Sequence, residues 1–205
     1  KGIFTSCKKN DNCPPWAVRA SKIKHDKTKK QIIYENAVLK IYDFPVFYFP
    51  KFFHPDPSVK RQSGLLPQKI NNSNILGSSL TAPYFKVISE SKDLTLIPTW
   101  FDNDINLINT EYRQANKSSN LLVDTGFVNG YKSSTTKERS NFSHLFLKFD
   151  ADLDLKDYTS SDLTLSYESA SNDNYLKIFE QHLTSSKARP ENIDILDNHI
   201  QLSLD

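Results

Sequence analysis

The chain has 205 residues, a formal net charge of +2 and a charged fraction of 24%. This small, balanced charge gives no broad basic footprint for nucleic acid, and the sequence has no run of about eighteen apolar residues that would form a transmembrane helix. Apolar residues make up 38% and aromatic residues 12%, which favours sheets with one wetted face over a thick globular core. Because the chain begins with lysine and lacks methionine, we expect it to be a piece of a longer protein.

Two cysteines lie near the start, in the stretch TSCKKNDNCPPW. The spacing of Cys7 and Cys13 does not match the CxxC motif of zinc or redox sites, and there is no second pair. In an oxidising compartment they could bridge each other or cysteines outside this chain. Two free thiols are the alternative.

Residues 16–53 predict a small, regular β-sheet module whose short strands are joined by the charged turn HDKTKK. Alternation places Trp16, Val18 and Ala20 on one face, because successive side chains of a strand point to opposite sides. A register break is expected at Val38.

The stretch DFPVFYFPKFFHPDPSVKRQSGLLP, residues 43–67, combines six aromatic residues with five prolines. Proline removes a ladder donor and breaks helices, yet the aromatic rings favour burial. The basic pair Lys60 and Arg61 that follows fits either a phosphate-binding patch or an ordinary basic turn, and charge alone does not separate the two.

From about Gly64 to Asp205 the pattern predicts seven or eight strands in a meander. The clearest segment, HLFLKFDADLDLK, alternates apolar residues from Leu145 to Leu155 with lysine and aspartate. It is long for a soluble strand and close to the length that crosses a bilayer when tilted. The segment NYLKIFEQHL has helical spacing for two or three turns. Periodicity alone fits a soluble sheet and a membrane barrel equally well.

No catalytic or metal-binding constellation appears in the sequence. There is no GxSxG motif, no P-loop and no glycine-rich phosphate cradle. Asp150, Asp152 and Asp154 share one strand face, which we interpret as a solvated sheet surface, and His144 is expected at a surface or interface. We therefore predict no enzyme, no cofactor and no metal. The histidines are scattered without metal-ligand spacing: His25, His54, His144, His182 and His199.

The segment FPVFYFPKFFHPDPSVKRQSGLLP resembles the stretch that joins the periplasmic and barrel domains of the lipopolysaccharide-assembly outer-membrane (LptD, or organic solvent tolerance) family. That family carries a Pro/aromatic run, a short basic stretch and then Ser-Gly-Phe-Leu before a proline. Phe44 to Pro50, Lys60-Arg61 and Ser63 to Pro67 stand in those places here. Upstream, WAVRASKIKHD and IIYENAVLKIYDFPVFY are similar to the end of the family's β-jellyroll. Downstream, LTAPYFKVISESKDLTLIPTWFDND is similar to its first barrel hairpins.

The resemblance implies an all-β protein: the end of a periplasmic β-jellyroll over residues 1–57, then antiparallel meander strands of an incomplete outer-membrane β-barrel over 58–205. It implies transport of lipopolysaccharide to the outer leaflet of the outer membrane. The groove would hold acyl chains, the barrel lumen would pass the sugar, and the lipid would leave sideways. The implied partners are lipopolysaccharide, outer-membrane lipids, a lipoprotein plug of the LptE type and a periplasmic bridge protein of the LptA type.

The resemblance also assigns residues. Cys7 or Cys13 is similar to a jellyroll cysteine that pairs with one near the far end of the barrel, and a local Cys7–Cys13 bridge stays open. Pro67 and Pro83 match the prolines beside the lateral opening, with Pro98 as a further candidate outside the match. The aromatic residues between Phe44 and Phe53 would line the passage from jellyroll to barrel. The predicted lining of the lipid groove and passage is Trp16, Val18, Ile32, Tyr34, Val38, Leu39, Ile41, Phe47 and Tyr48.

Two other classes compete with this interpretation. A soluble β-sandwich binding module would bury the Leu145–Leu155 face against a second sheet. A simple outer-membrane porin or adhesin segment would keep the amphipathic strands but lack the jellyroll.

Overall fold

The structure is a computed structural model that describes residues 2–4, 16–42, 44–59, 61–132 and 138–205. Cys7 and Cys13 lie outside the described residues, so their pairing stays a prediction. The chain divides into two compact units, Lys1–Gln62 and Ser63–Asp205. The assignment of residues 1–57 to a jellyroll and of 58–205 to a barrel also stays a prediction.

The first unit contains one antiparallel sheet in which β4 is central. β2 and β3 pair with one side of β4, β5 pairs with its other side, and β1 extends the sheet beyond β2. The strands are β1 (Gly2–Phe4), β2 (Trp16–Ala20), β3 (Lys22–Asp26), β4 (Gln31–Ile41) and β5 (Phe44–Pro55).

The alternation of β4 breaks at Asn36, whose φ of 48° lies in the left-handed region. Asparagine tolerates this conformation better than most residues. As a result Tyr34 and Ala37, three positions apart, are both buried in the same cluster. The register break therefore lies at Asn36, two positions before the predicted Val38, with a second shift between Leu39 and Lys40.

The second unit is one antiparallel sheet of ten strands with one inward-folded segment. The described chain crosses the sheet eight times. There are ten strands because two of these passes are interrupted: β6 and β7 belong to the first pass, and β8 and β9 belong to the second. The strands are β6 (Gly64–Leu65), β7 (Lys69–Ser73), β8 (Gly77–Thr81), β9 (Tyr84–Ser89), β10 (Lys92–Phe101), β11 (Asn106–Ala115), β12 (Ser119–Lys132), β13 (Arg139–Asp152), β14 (Ser161–Ala170) and β15 (His199–Leu204).

The two faces of this sheet differ in chemistry and in cover. The inner face carries Thr95, Asn109 and Asp124, all buried. It also carries apolar side chains such as Leu107 and Val128, which are buried as well. The apolar side chains of the outer face, in contrast, are exposed. Because cross-strand partners share a face, register identifies the exposed outer-face residues as Leu65, Ile70, Leu80, Tyr84, Leu96, Trp100, Ile108, Phe127, Leu145, Tyr167, Ile200, Leu202 and Leu204.

Residues 171–198, here called the inner segment, cover part of the inner face. The segment contains the short helix α1 (Tyr175–Ile178) and a 3-10 turn (Glu180–His182), where the sequence predicts helical spacing. Tyr175, Leu176 and Phe179 pack into a buried cluster that includes side chains from β10 to β13. The members of that cluster are Leu76, Phe101, Ile105, Leu107, Val128, Phe146, Tyr175, Leu176, Phe179 and Ala188.

The all-β, antiparallel fold class is confirmed, including the meander. Within the described residues the larger sheet is open, with β15 at one edge and β6 and β7 at the other. No helix in the described part of the chain has the length and apolar character needed to cross a membrane.

Candidate functional site

The first candidate site is one face of the small sheet, here called the aromatic face. It is formed by Trp16, Val18, Ile32, Tyr34, Leu39, Ile41, Phe47, Phe49 and Phe52. The register pairs Trp16 with Ile41 and Val18 with Leu39, and Leu39 pairs in turn with Phe47. A buried cluster joins Ile32 and Tyr34 to the same face. The structure therefore brings seven of the nine predicted groove residues together.

Val38 and Tyr48 lie on the opposite face of this sheet. They are paired with each other across β4 and β5, and the Tyr48 hydroxyl donates to Asn36 Oδ1 at 2.7 Å. Their neighbours Leu39 and Phe47 lie on the aromatic face. Alternation along β5 already indicates that Phe47 and Tyr48 point to opposite faces. Because alternation breaks at Asn36, however, the sequence does not show which residues after Asn36 share a face with Ile32 and Tyr34.

Aromatic rings form a continuous ladder along β5. Ring centroids are 5.9 Å apart for Phe47 and Phe49, 5.6 Å for Phe49 and Phe52, and 5.8 Å for Phe52 and Tyr34. Aromatic pairs favour such spacings. Tyr34 is buried, whereas Phe47 is 62% exposed. The row of rings therefore runs from the core to the surface, and its Phe47 end is an exposed apolar strip.

Polar contacts hold the end of β5 against the turn before β4. The Asp56 carboxylate accepts the Ser58 backbone N–H at 2.8 Å and lies 2.6 Å from His25 Nε2. Hydrogen bonds from Ser58, with His25 as a smaller contribution, lower the pKa of Asp56. Burial raises the pKa of Tyr34, whose hydroxyl lies 2.8 Å from His54 Nε2. These contacts fix strand geometry and suggest no chemistry of their own.

The second candidate site is a line of prolines across the first three passes of the large sheet. Pro83 separates β8 from β9, and Pro67 lies between β6 and β7 where the register shifts by one residue. Leu66 N–H donates to Pro83 O at 2.9 Å, and Ala82 N–H donates to Pro98 O at 3.1 Å. An antiparallel pair of this kind normally exchanges two such bonds. Since proline has no N–H, the pairs Leu66–Pro83 and Ala82–Pro98 each keep only one.

Side chains compensate for part of this loss. Gln68 Nε2 donates to Leu66 O at 3.0 Å, the carbonyl that residue 83 would engage if it carried an N–H. Beside the second incomplete pair, the buried hydroxyls of Thr81 and Thr99 lie 2.9 Å apart. We call the strand pairs Leu66–Pro83 and Ala82–Pro98 the seam. Each pair is held by one backbone hydrogen bond, with a few side-chain hydrogen bonds beside it.

A cavity of about 650 Å³ opens on the inner face beside these prolines. Its walls come from β7 to β11, the Leu66–Pro67 link and the inner segment. The lining residues are Leu66, Pro67, Lys69, Asn71, Thr81, Pro83, Phe85, Thr95, Ile97, Thr99, Glu111, Arg113, Gln181, His182, Leu183, Thr184 and Ser185. Sequence reasoning found the prolines but missed the rest, because the inner segment that closes the cavity comes from about a hundred residues further along the chain.

Buried polar contacts fasten the inner segment to the sheet. The Thr184 hydroxyl donates to Asp124 Oδ2, and Asn109 Nδ2 donates to the His182 carbonyl at 2.7 Å. His144 Nδ1 lies 2.9 Å from the Tyr175 hydroxyl. Burial lowers the pKa of His182 and raises the pKa of Tyr175, so both side chains are neutral at ordinary pH.

The prediction for His144 is wrong. Its side chain is fully buried on the inner face, with Nε2 3.6 Å from Asp124 Oδ1, and it stacks on Phe146. The expected solvated face is present at Asp150 and Asp152, since both side chains are exposed. Asp154 is exposed too, but it lies beyond the end of β13 and not on the strand face. Within the described residues, His, Cys, Asp and Glu form no group of three that could hold a metal ion.

These observations define the class of the protein: an all-β chain with a small aromatic sheet and a large amphipathic antiparallel sheet whose apolar face is exposed. A scan against protein-family profiles finds no match. Individual proteins do match, and they share one name, LPS-assembly protein LptD. The chain is 29% identical over 128 residues to the one from Pseudomonas aeruginosa strain UCBPP-PA14, covering 62% of this chain and 14% of that protein.

Relatives from other genera agree. The LptD of Polaromonas sp. strain JS666 is 34% identical over 101 residues, 48% of this chain and 12% of that protein. The LptD of Legionella pneumophila strain Paris is 30% identical over 130 residues, 63% of this chain and 14% of that protein. The chain thus spans only a small part of the length of these relatives. It is similar to one segment of LptD, which confirms the resemblance.

Proposed function

We propose that this chain is part of a lipopolysaccharide transporter in the bacterial outer membrane, with its first unit in the periplasm. The relatives are named for lipopolysaccharide assembly. The observation that carries the proposal is the large sheet, whose outer face exposes many apolar side chains while its inner face is partly covered and buries polar side chains such as Asn109 and Asp124. Hydrocarbon is the environment that suits such an outer face.

The aromatic face supplies a surface for acyl chains. Phe47 is largely exposed and continues the ring ladder that begins at the buried Tyr34. Burying exposed apolar surface contributes about 25 cal/mol per Å², so a lipid tail lying along this strip is stabilised without any polar contact. The chain makes no covalent change to the lipid under this proposal.

The proline line supplies a weak seam for sideways release. A hydrogen bond contributes about 1 kcal/mol net in water and more in lipid, so two incomplete pairs lower the free energy needed to part the first strands. Pro83 and Pro98 remove those bonds directly, and Pro67 lies at the shift in register. The lipoprotein plug, the periplasmic bridge protein and the cysteine pairing implied by the resemblance remain part of the proposal.

The soluble-sandwich alternative finds less support. It requires the outer face of β13 to pack against a second sheet, yet Leu145 is 38% exposed and its outer-face neighbours Phe127 and Tyr167 are 48% and 44% exposed. A simple porin or adhesin segment accounts for the large sheet but gives no role to the aromatic face.

Photo-crosslinking in living cells tests the proposal. A photoreactive amino acid is placed at Phe47, or at Ile32, in the complete protein, with Tyr48 as the matched control on the opposite face. We expect lipopolysaccharide adducts at Phe47 and Ile32 and at least severalfold fewer at Tyr48. If adducts are absent from every position of the aromatic face while the protein assembles normally, the transport proposal is wrong.

A further inference from the structure

We propose that the cavity beside the prolines is a binding site for uncharged sugar residues. The inference deepens the proposed function and rests on it, because transport is what would bring the sugar part of a glycolipid to the inner face. The argument for the ligand class comes from the lining side chains, their hydrogen bonds and their charges.

Hydroxyl and amide groups form much of the lining of the cavity. Thr81, Thr95 and Thr99 lie on neighbouring passes of the sheet and point to the inner face, all three of them buried. Asn71 and Gln181 add amides from the first strand and the inner segment. A hydroxyl both donates and accepts hydrogen bonds, as do the hydroxyls of a sugar, so the two sets match in chemistry.

Apolar groups lie among these hydroxyls. Ile97 stands between Thr95 and Thr99 on the inner face of β10, and Phe85 is the cross-strand partner of Thr95. The other apolar lining residues include Leu66, Pro67 and Pro83. Ligand sites are typically concave, mostly apolar, and carry a few placed polar groups. A sugar ring has a hydroxyl rim and apolar C–H faces, so it can contact both kinds of lining group at once.

Charge in the cavity is internally compensated. Arg113 donates to both carboxylate oxygens of Asp93, at 2.7 and 3.2 Å, and its Nε lies 3.6 Å from Glu111 Oε1. A phosphate approaching Arg113 would meet two carboxylates already in place. Among the described lining residues, Lys69 is the one further cation. The formal charges of Lys69, Asp93, Glu111 and Arg113 therefore sum to zero, and the site favours a neutral ligand over an anionic one.

The size of the cavity is consistent with this ligand. About 650 Å³ lies within the range of roughly 300–1,000 Å³ that is usual for small-molecule sites. The inner segment closes one side through Leu183 and Thr184, and Thr184 is itself fixed by its bond to Asp124. The wall is therefore pre-formed.

Equilibrium dialysis with the complete protein in detergent tests the site. The probe is the lipid-free core oligosaccharide of the producing bacterium's lipopolysaccharide, with its phosphates removed, and the same oligosaccharide with phosphates retained is measured in parallel. The variants are T95V, T99V and F85A. T110V is the matched control, because Thr110 lies on the outer face. Thermal unfolding of each variant checks that the protein remains folded.

We expect the dephosphorylated probe to bind with an affinity that changes little with salt, and the phosphorylated probe to bind no more tightly. Each threonine variant should weaken binding about fivefold, the effect of one hydrogen bond, and T110V should leave it unchanged. The inference is wrong if the oligosaccharide binds only with its phosphates, or if it does not bind at all. It is also wrong if the folded T95V, T99V and F85A variants bind it as tightly as the parent protein does. If the dialysis experiment fails but lipopolysaccharide still crosslinks at Phe47, the sugar site is wrong and the proposed transport function stands. If the crosslinked adducts are absent as well, the transport function itself is contradicted.

Discussion

Gly126 lies on the inner face of β12, directly beneath two buried side chains. A Cβ at this position would stand 2.3 Å from His144 Cε1 and 2.6 Å from Asn109 Oδ1. Neither neighbour is at the free end of a flexible chain, because His144 lies against the Tyr175 hydroxyl and Asn109 is bonded to the His182 carbonyl. The glycine therefore makes room for the contacts that hold the inner segment.

Replacing this glycine gives a prediction at the residue scale. G126A should destabilise the protein by about 1–3 kcal/mol, the usual effect of overpacking, and should lower the midpoint of thermal unfolding of the purified complete protein. G64A is the matched control, since a Cβ there meets nothing within 4 Å. Equal midpoints for G126A and the parent protein would show that the inner segment is not held as described.

Single residues also show what the sequence could and could not reveal. The prolines and aromatic rings were identifiable because their local effects on the backbone and on burial do not depend on distant partners. His144 was placed wrongly because its burial depends on Tyr175 and Asp124, which come from other elements. The Asp93–Arg113 pair was missed for the same reason, since no local pattern announces a partner twenty residues away.

At the scale of elements, alternation predicted the long strands well. β12 and β13 each span fourteen residues, and the predicted apolar residues from Leu145 to Ala151 lie on one face of β13. The strand ends at Asp152, before Leu153 and Leu155, and Phe146 lies on the opposite face in the buried cluster. The inner segment was the element that the sequence could not place. Its helical spacing is short, and its position over the inner face depends on a buried cluster assembled from several strands.

The incomplete strand pairs give a prediction at this scale. P83A and P98A each restore an N–H that can complete a pair, with Leu66 O and Ala82 O as the acceptors. Each change should stabilise the seam by about 1 kcal/mol, increase protection of the Leu66 and Ala82 amides from hydrogen exchange, and slow the appearance of lipopolysaccharide at the cell surface. P57A, in an exposed turn of the first unit, serves as the control. If the amides become better protected but lipopolysaccharide export is unchanged, the strength of the seam does not control release of the lipid.

For the whole molecule, the distribution of polarity is the property that separates the competing classes. A water-soluble sandwich hides its apolar faces and exposes its polar ones. The large sheet buries an apolar cluster on its inner face but leaves its apolar outer face open: Ile108 is 49% exposed there, while Asn109, the next residue, is fully buried on the inner face. Neighbouring residues of one strand thus meet different environments, which fits the proposed wall between hydrocarbon and a polar interior.

A charge on the outer face tests this directly. In a lipid-facing strand, I108R should cost about 2–4 kcal/mol near the middle of the bilayer and reduce the amount of protein assembled in the outer membrane, measured by membrane fractionation and resistance to protease. I108F, which keeps the position apolar, should assemble like the parent protein. In a water-exposed sheet the same arginine would be neutral or would improve solubility. Normal assembly of I108R would therefore contradict a hydrocarbon-facing outer surface at this strand.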